Sequence, residues 1–143
     1  MIVPLRHPAL FKVPEFQEFL RRAFSRTPWR TDDILEHLEK TITLPRISTI
    51  LNVEQGEYLG IAVVALPESK LDPFPQIIHL YSEGPIRNRK VIIQAVVDFM
   101  EERGYTKVWA VNYTGKPDKV YQRVMKPQGW EVKPIGSIME FSR

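Results

Sequence analysis

The strongest constraint on the fold comes from residues 75–112, which predict a strand, a helix and a second strand in direct succession. Two apolar runs of strand length flank a longer apolar segment with helical spacing. Because the joints are short, we interpret the stretch as a βαβ-like unit. Its parts are a strand (Ile77 to Tyr81), a turn (Gly84 and Pro85), a helix (Val91 to Met100), a helix-ending glycine (Gly104) and a strand (Thr106 to Val111).

A cluster of cations precedes the helix of this unit. Arg87, Arg89 and Lys90 stand beside Asn88, between the turn and the helical segment. Free N–H groups at a helix N-terminus bind anions, and nearby cations add charge-assisted hydrogen bonds to phosphate. The helix dipole disfavours cations at this end. Their presence therefore favours an anion site over the alternative, a solvated basic turn.

The whole chain has the composition of one globular domain. Its 143 residues can bury a core, and 43% of them are hydrophobic and 26% charged. There is no cysteine, which excludes disulfides, thiolate catalysis and zinc sites built on sulfur. The three histidines, His7, His37 and His79, lie far apart without metal-ligand spacing, so we expect no metal site. We predict a single domain over residues 1–143.

Hydropathy and charge restrict the location and the partners of the chain. The first 16 residues contain three prolines and no continuous apolar run, so we expect no signal peptide. No apolar run approaches the ~20 residues that span a bilayer, and we expect a cytoplasmic protein with no membrane contact. The net charge of +3 is compatible with a polyanionic ligand such as a coenzyme. It is too small to indicate nucleic-acid binding, which we do not expect.

Two helices are predicted before the first long strands. Pro14 suits the first turn of a helix whose apolar stripe runs from Phe16 to Phe24. Arg22 and its basic neighbours lie off this stripe and are expected to be solvated. A second helix is predicted from an N-cap at Thr31, with Asp33 placed favourably against the helix dipole.

A hairpin, a further helix and a last strand complete the prediction. The runs Ile47 to Val53 and Glu57 to Leu66 flank hairpin residues Glu54 to Gly56. The second run is continuously apolar, so helices should cover both faces of the sheet. A helix from Asp118 to about Lys126 and a strand from Trp130 to Phe141 follow. The order predicts an α/β (α+β) fold with a mixed, mostly antiparallel central sheet flanked by helices on both faces.

The unit built on residues 75–112 resembles the central motif of the GNAT N-acetyltransferase superfamily. In that family the strand is followed by a pyrophosphate loop that reads Gln or Arg, two residues, Gly, one residue, and Gly or Ala. Arg87 fits the first position. Lys90 and Ile92 stand where the family has its small residues, so the loop departs from the family pattern.

The end of the chain carries a second likeness to this family. Asn112 closes a strand, Tyr121 lies on the following helix, and Gly129 and Trp130 open the last strand. These resemble the family's asparagine, tyrosine and glycine-aromatic signature. The family's tyrosine usually lies about one helical turn before the glycine, where this chain has Met125. The likeness covers most of the chain from the predicted hairpin onward.

The resemblance implies a domain that binds acetyl-CoA and transfers its acetyl group to an amine. The ligand site would be a V-shaped gap between the strands Ile77–Glu83 and Thr106–Asn112. Residues at the ends of these strands and along the cation cluster would bind the coenzyme. They are Tyr81, Ser82, Arg87, Asn88, Arg89, Lys90, Val91, Ile92 and Asn112.

Such a transfer needs a base for the amine, an acid for the departing thiolate and N–H groups for the oxyanion. Glu83 is the first candidate base and His79 the second, with Tyr121 as the candidate acid and backbone N–H groups near Tyr81 as the oxyanion donors. The alternatives are a solvated turn residue for Glu83 and a structural histidine for His79. Strand alternation places His79, Tyr81 and Glu83 on one face and Ile78, Leu80 and Ser82 on the other.

Three functions are therefore under consideration. The first is an acetyl-CoA-dependent N-acetyltransferase with an amine acceptor. The second is a catalytically inactive GNAT-fold protein that serves as a binding or structural component. A nucleic-acid or nucleotide-binding module is the third. Homodimerisation through an exposed part of the apolar helix is a secondary hypothesis.

Overall fold

The computed structural model describes residues 1–42, 44, 46–67, 74–111, 119–135 and 138–143. Within these ranges the chain forms seven strands and four α-helices. The strands are β1 (Ile2–Pro4), β2 (Ile47–Glu54), β3 (Glu57–Ala65), β4 (Gln76–Ser82), β5 (Lys107–Val111), β6 (Glu131–Ile135) and β7 (Ile138–Ser142). The helices are α1 (Pro14–Ala23), α2 (Thr31–Thr41), α3 (Ile86–Glu102) and α4 (Lys119–Met125).

The strands form one sheet in the order β1-β2-β3-β4-β5-β7-β6. Only β4 and β5 pair in parallel, and every other neighbouring pair of these strands is antiparallel. This confirms the predicted mixed, mostly antiparallel sheet. The parallel pair is the one joined by α3, because a crossover helix returns the chain to the same end of the sheet.

Helices cover both faces of the sheet, as the apolar character of β3 predicts. Ile61 and Val63 of β3 pack in the core under α1 and α2, around Phe19. Ala62 and Val64 alternate onto the opposite face and pack under α3 and α4. The sheet therefore separates two cores, one on each face. No helix in the described part of the chain has the length and hydrophobicity needed to cross a bilayer.

The hairpin between β2 and β3 is confirmed at the predicted turn. Gln55 and Gly56 both have positive φ, at 51° and 78°. Two consecutive left-handed residues form the turn whose twist matches that of the flanking strands. The second helix starts at Thr31, one residue earlier than predicted, because its N-cap is Arg30, and no side chain caps it. The prediction of a Thr31 cap is therefore wrong.

Two further boundaries differ from the prediction. The last segment is not one strand, because β6 and β7 pair antiparallel as a hairpin from Ile135–Ile138 outward. The joining residues, 136 and 137, lie outside the described ranges. At the centre of the chain α3 begins at Ile86, five residues before the predicted start at Val91. Pro85 occupies the N-cap with φ −60°, a conformation that proline favours at helix starts.

Candidate functional site

A bulge in β4 coincides with the point where β4 leaves β5. Val63 pairs with His79 and Val64 with Ile77, so Ile78 has no partner on β3. The last β4–β5 pair is Ile77 with Ala110. A bulge bends and twists its strand. Beyond it, β4 continues to Ser82 with no strand beside it on this side among the described residues.

This opening, the strand gap, lies between the two strands where the resemblance implied it. Backbone N–H groups of β4 are turned toward it. The N–H of Glu83 donates to the carbonyl of Leu59 on β3 at 2.9 Å. Because alternate residues of an antiparallel strand turn their N–H groups to opposite sides, those of Leu80 and Ser82 are directed to the gap. The N–H of Tyr81 is turned to β3 instead.

The bulge also changes which side chains share a face. Ile78 packs with Tyr81 in the core under α1 and α2, whereas Leu80 packs in the core under α3 and α4. The prediction that Ile78 shares a face with Leu80 is wrong, because one inserted residue shifts the period-2 alternation. As a result, both Ile78 and His79 are turned to the α1–α2 side.

The N-terminus of α3 begins directly beyond the end of β4. No side chain caps it, and its first turn contains no acidic residue. The Nδ2 of Asn88 donates to the carbonyl of Glu83 at 2.9 Å, and the N–H of Asn88 donates to the carbonyl of Pro85 at 2.9 Å. These bonds fix the turn at Gly84, whose φ is +82°. The N–H groups of Ile86 and Arg87 have no acceptor within the helix, because the carbonyls four residues before them lie outside it.

The predicted pyrophosphate loop is part of this helix. Residues 87–92 lie inside α3, where N–H groups beyond the first turn bond to carbonyls four residues earlier. The N–H groups of Lys90, Val91 and Ile92 are therefore committed to the helix. A backbone cradle for an anion is restricted to the first turn, next to Gly84.

The side chains of the cation cluster separate. Arg87 and Lys90 are exposed. The guanidinium of Arg89 is half-buried and lies 5.8 Å from the centre of the Tyr121 ring. Ile92 is fully buried in the core under α3, and its side chain does not obstruct the helix N-terminus. Asn112 lies outside the described residues.

Glu83 forms a network with a residue that sequence reasoning assigned to solvent. Arg22 of α1 donates from Nε and Nη2 to the two carboxylate oxygens of Glu83, at 3.0 and 2.9 Å. The hydroxyl of Tyr81 donates to the same carboxylate at 2.6 Å. The Arg22 hydrogen bonds hold the pKa of Glu83 below its usual value. Burial and the Glu83 hydrogen bond raise the pKa of Tyr81 to about 12.

The prediction that Arg22 is only solvated is therefore wrong. No local pattern could reveal the contact, since 61 residues separate the two partners along the chain. In this arrangement Glu83 is a carboxylate that already accepts three hydrogen bonds. Such a group is a weak base at neutral pH.

His79 is fixed between β4 and the end of α1. Its Nε2 lies 2.6 Å from the carbonyl oxygen of Ala23, and its ring stacks on Phe24 with centroids 4.2 Å apart. A carbonyl can only accept, so Nε2 carries the proton and Nδ1 is the basic nitrogen. Burial lowers the pKa of His79, which keeps the imidazole neutral at neutral pH.

Tyr121 lies on the opposite face from these groups. The residue is 4% exposed, and its ring packs against that of Phe141, with ring centroids 4.8 Å apart, in the core under α3 and α4. The structure thus brings Tyr81 and Glu83 into direct contact and places His79 on the same side of the sheet. It does not bring Tyr121 to that side. The catalytic roles of the three candidates stay predictions.

A cavity of about 420 Å³ lies beside His79, between α2, the end of α1 and the sheet. Its walls include Trp29, Asp33 and His37, none of which was predicted as a site residue. The two histidines that sequence spacing kept apart, His37 and His79, both line it. In the described part of the chain, no group of three or more potential metal ligands occurs.

Comparisons with known proteins agree with this architecture. Neither protein-family models nor curated protein sequences match the chain. Among solved structures, an aminoglycoside 6'-acetyltransferase type Ii is similar at 13% identity and a TM-score of 0.66, with 100% of this chain and 96% of that chain covered. The ribosomal-protein-S18-alanine N-acetyltransferase from Escherichia coli is similar at 12% identity and a TM-score of 0.65, with 99% of this chain and 89% of that chain covered.

A third similar structure is the PaiA N-acetyltransferase from Thermoplasma acidophilum in complex with coenzyme A. Its identity is 11% and its TM-score 0.62, covering 100% of this chain and 99% of that chain. All three match over nearly the full length of this chain, including the α1–α2 region. The chain has the GNAT acyl-CoA N-acyltransferase fold.

Proposed function

We propose that this protein is an acetyl-CoA-dependent N-acetyltransferase that acts on an amine. The observation that carries the proposal is the strand gap beside β4, which opens next to an uncapped helix N-terminus flanked by Arg87 and Lys90. The neighbour solved in complex with coenzyme A shares this fold. An extended thiol arm fits between two parting strands, and a diphosphate fits a helix N-terminus.

The coenzyme diphosphate would bind at the first turn of α3. The N–H groups of Ile86 and Arg87 would donate to it, with Arg87 and Lys90 supplying charge. A charge contact from Lys90 would replace part of the backbone contact that glycines give in the family loop. The N–H groups of Leu80 and Ser82 would face the thioester and stabilise the oxyanion.

In the reaction the amine nitrogen forms a bond to the thioester carbonyl carbon and the carbon–sulfur bond breaks. The amine loses one proton and the departing thiolate gains one. We assign the proton-accepting role to the neutral His79 rather than to Glu83, because the carboxylate of Glu83 already accepts three hydrogen bonds. Tyr121 stays the candidate acid, and Tyr121→Phe is its test.

The test of the function is calorimetric titration with acetyl-CoA followed by an acetylation assay. We expect micromolar binding, weakened about 10- to 100-fold by Arg87→Glu because a phosphate contact becomes a repulsion. The matched control is Arg6→Glu, which makes the same charge change at an exposed residue near β1. Equal affinities for both variants would contradict the proposed diphosphate site.

The second candidate function is a GNAT-fold protein without catalysis. The observation in its favour is the helical course of residues 87–92, which leaves only a first-turn cradle for the diphosphate. Absence of acetyl-CoA binding in the wild-type protein would support this function and exclude the enzyme. Binding without any acetyl transfer, across a panel of amines, would support a coenzyme-binding component.

A further inference from the structure

The cavity beside His79 has the size of a small-molecule site. Its volume of about 420 Å³ lies within the range of ligand pockets, roughly 300–1,000 Å³. An apolar cavity of about 150 Å³ already holds benzene. There is room here for one aromatic ring with a short side chain, or for a branched aliphatic body.

The walls of the cavity are chiefly apolar and differ from its rim. Phe24, Ile34 and Leu38 are buried and form the inner wall. The rim carries Asp33, which is exposed, and Trp29, which is 41% exposed despite its size. An indole at the entrance offers a flat apolar surface with a polar edge, a common feature of binding sites.

The charges of the described lining residues favour a cation over an anion. None of them is a lysine or an arginine, and Asp33 is the acidic one. A polycation such as an amino sugar needs several carboxylates and hydroxyl partners, which this lining does not supply. A single amine on an apolar body matches both the surface and the charge.

The cavity and the strand gap share one segment of β4, the bulge. Ile78 and His79 line the cavity, and both belong to the part of β4 where the bulge separates it from β5. A ligand in the cavity would therefore lie next to the segment of β4 that borders the proposed thioester site.

We propose that this cavity binds the acceptor, and that the acceptor is a primary amine with an aromatic or branched aliphatic body. That the ligand is an acetyl acceptor rests on the proposed acetyltransferase function. The chemical class of the ligand rests on the cavity alone. The apolar body packs against Trp29 and the inner wall with the amine turned to His79 of β4, and the charge of Asp33 at the rim attracts the cationic ligand as it enters.

The test is calorimetric titration of the intact protein with 2-phenylethylamine, with 2-phenylethanol and ethanolamine as comparison probes. We expect 2-phenylethylamine to bind most tightly, because each comparison probe lacks either the charge or the ring. Trp29→Ala should weaken its binding about tenfold and Trp29→Phe should restore most of it. Asp33→Asn should weaken it about two- to fivefold, while Glu36→Gln, the same charge change elsewhere on α2, should leave it unchanged.

Several results would overturn the proposal. These are no binding of 2-phenylethylamine, binding that Trp29→Ala does not affect, or equal binding of ethanolamine. Acetyl-CoA titration of the same samples reports separately on the transferase function. If acetyl-CoA fails to bind while 2-phenylethylamine binds as expected, the proposed acetyltransferase function is contradicted and the proposed ligand class is supported. If acetyl-CoA binds and only polar amines are acetylated, the acetyltransferase function is supported and the proposed ligand class is contradicted.

Discussion

At the scale of single residues, the contacts of Glu83 and His79 decide which of them can accept a proton. Both were candidates from sequence because both lie on the strand that borders the gap. Glu83 is held by Arg22 and Tyr81, and this network links α1 to the end of β4. His79 is fixed by its hydrogen bond to Ala23 and remains neutral. The contacts with Arg22 and Ala23 could not be predicted from the sequence, because both come from the distant helix α1, whereas strand alternation already placed Tyr81 beside Glu83.

The Arg22–Glu83 contact should contribute measurably to stability. We expect Arg22→Ala to lower the free energy of unfolding by about 1 kcal/mol, because a two-point, charge-assisted contact between α1 and β4 is lost. Arg21→Ala removes a neighbouring, exposed contact with Glu18 and should cost at most about 0.5 kcal/mol. Urea denaturation of both variants measures the difference. Equal losses in the free energy of unfolding would show that the contact between Arg22 and β4 stabilises the protein no more than the exposed contact of Arg21 does.

The buried imidazole of His79 should make stability depend on pH. Its pKa is lowered from the ordinary 6.5, so the unfolded chain takes up this proton first as the pH falls. Above the ordinary pKa, His79 is neutral in both states and causes no loss of folding stability. Below it, stability should decline by at most about 1.4 kcal/mol per pH unit until the folded pKa is reached. Glu83 has a lowered pKa too, but its loss begins only below the ordinary 4.5.

Thermal melts at about pH 7.5 and about pH 5.5 test this linkage. The melting temperature of the wild-type protein should fall between these values more than that of His79→Gln. His37→Gln, at an exposed histidine, should behave like the wild type. The account of His79 is wrong if His79→Gln shows the same decline as the wild-type protein.

At the scale of elements, the helix α3 departs most from its sequence prediction. The apolar pattern from Val91 predicts its buried face but not its start, because the first turn is exposed and carries no periodic signal. The start is set by Pro85 and by the Asn88 side chain, which bonds back to Glu83. The likeness to a pyrophosphate loop predicted a ligand site near Arg87. It could not show that this segment is helical here.

Two glycines with positive φ flank α3 and give a matched comparison. A Cβ added at Gly84 would lie 2.9 Å from Nδ2 of Asn88, whereas one at Gly104 meets nothing within 4 Å. Gly104→Ala should cost about 1 kcal/mol from backbone strain, and Gly84→Ala about 1–2 kcal/mol more because the turn must also shift. Coenzyme A affinity, measured by calorimetry, should fall several-fold only for Gly84→Ala. An equal effect of both substitutions on affinity would show that the turn does not form the site.

At the scale of the whole molecule, sequence order predicted the sheet class and the helices on both faces, and the resemblance to the GNAT family implied the position of the strand gap. Local patterns suffice for the sheet class and the helices because strands, helices and the crossover are encoded in neighbouring residues. The bulge at Ile78, the hairpin of β6 and β7 and the cavity under α2 were not predicted. They depend on which strands and helices meet, and the cavity joins residues as distant as Trp29 and His79.

The central claim is that coenzyme A binds between the first turn of α3 and the open edge of β4. An NMR titration of ¹⁵N-labelled protein with coenzyme A tests it most directly. We predict that the largest amide shifts occur at Gly84, at Ile86 to Asn88 and at Leu80 and Ser82, with smaller shifts along β1 and β2. Shifts concentrated away from α3 and β4, or no shifts at millimolar coenzyme A, would contradict it.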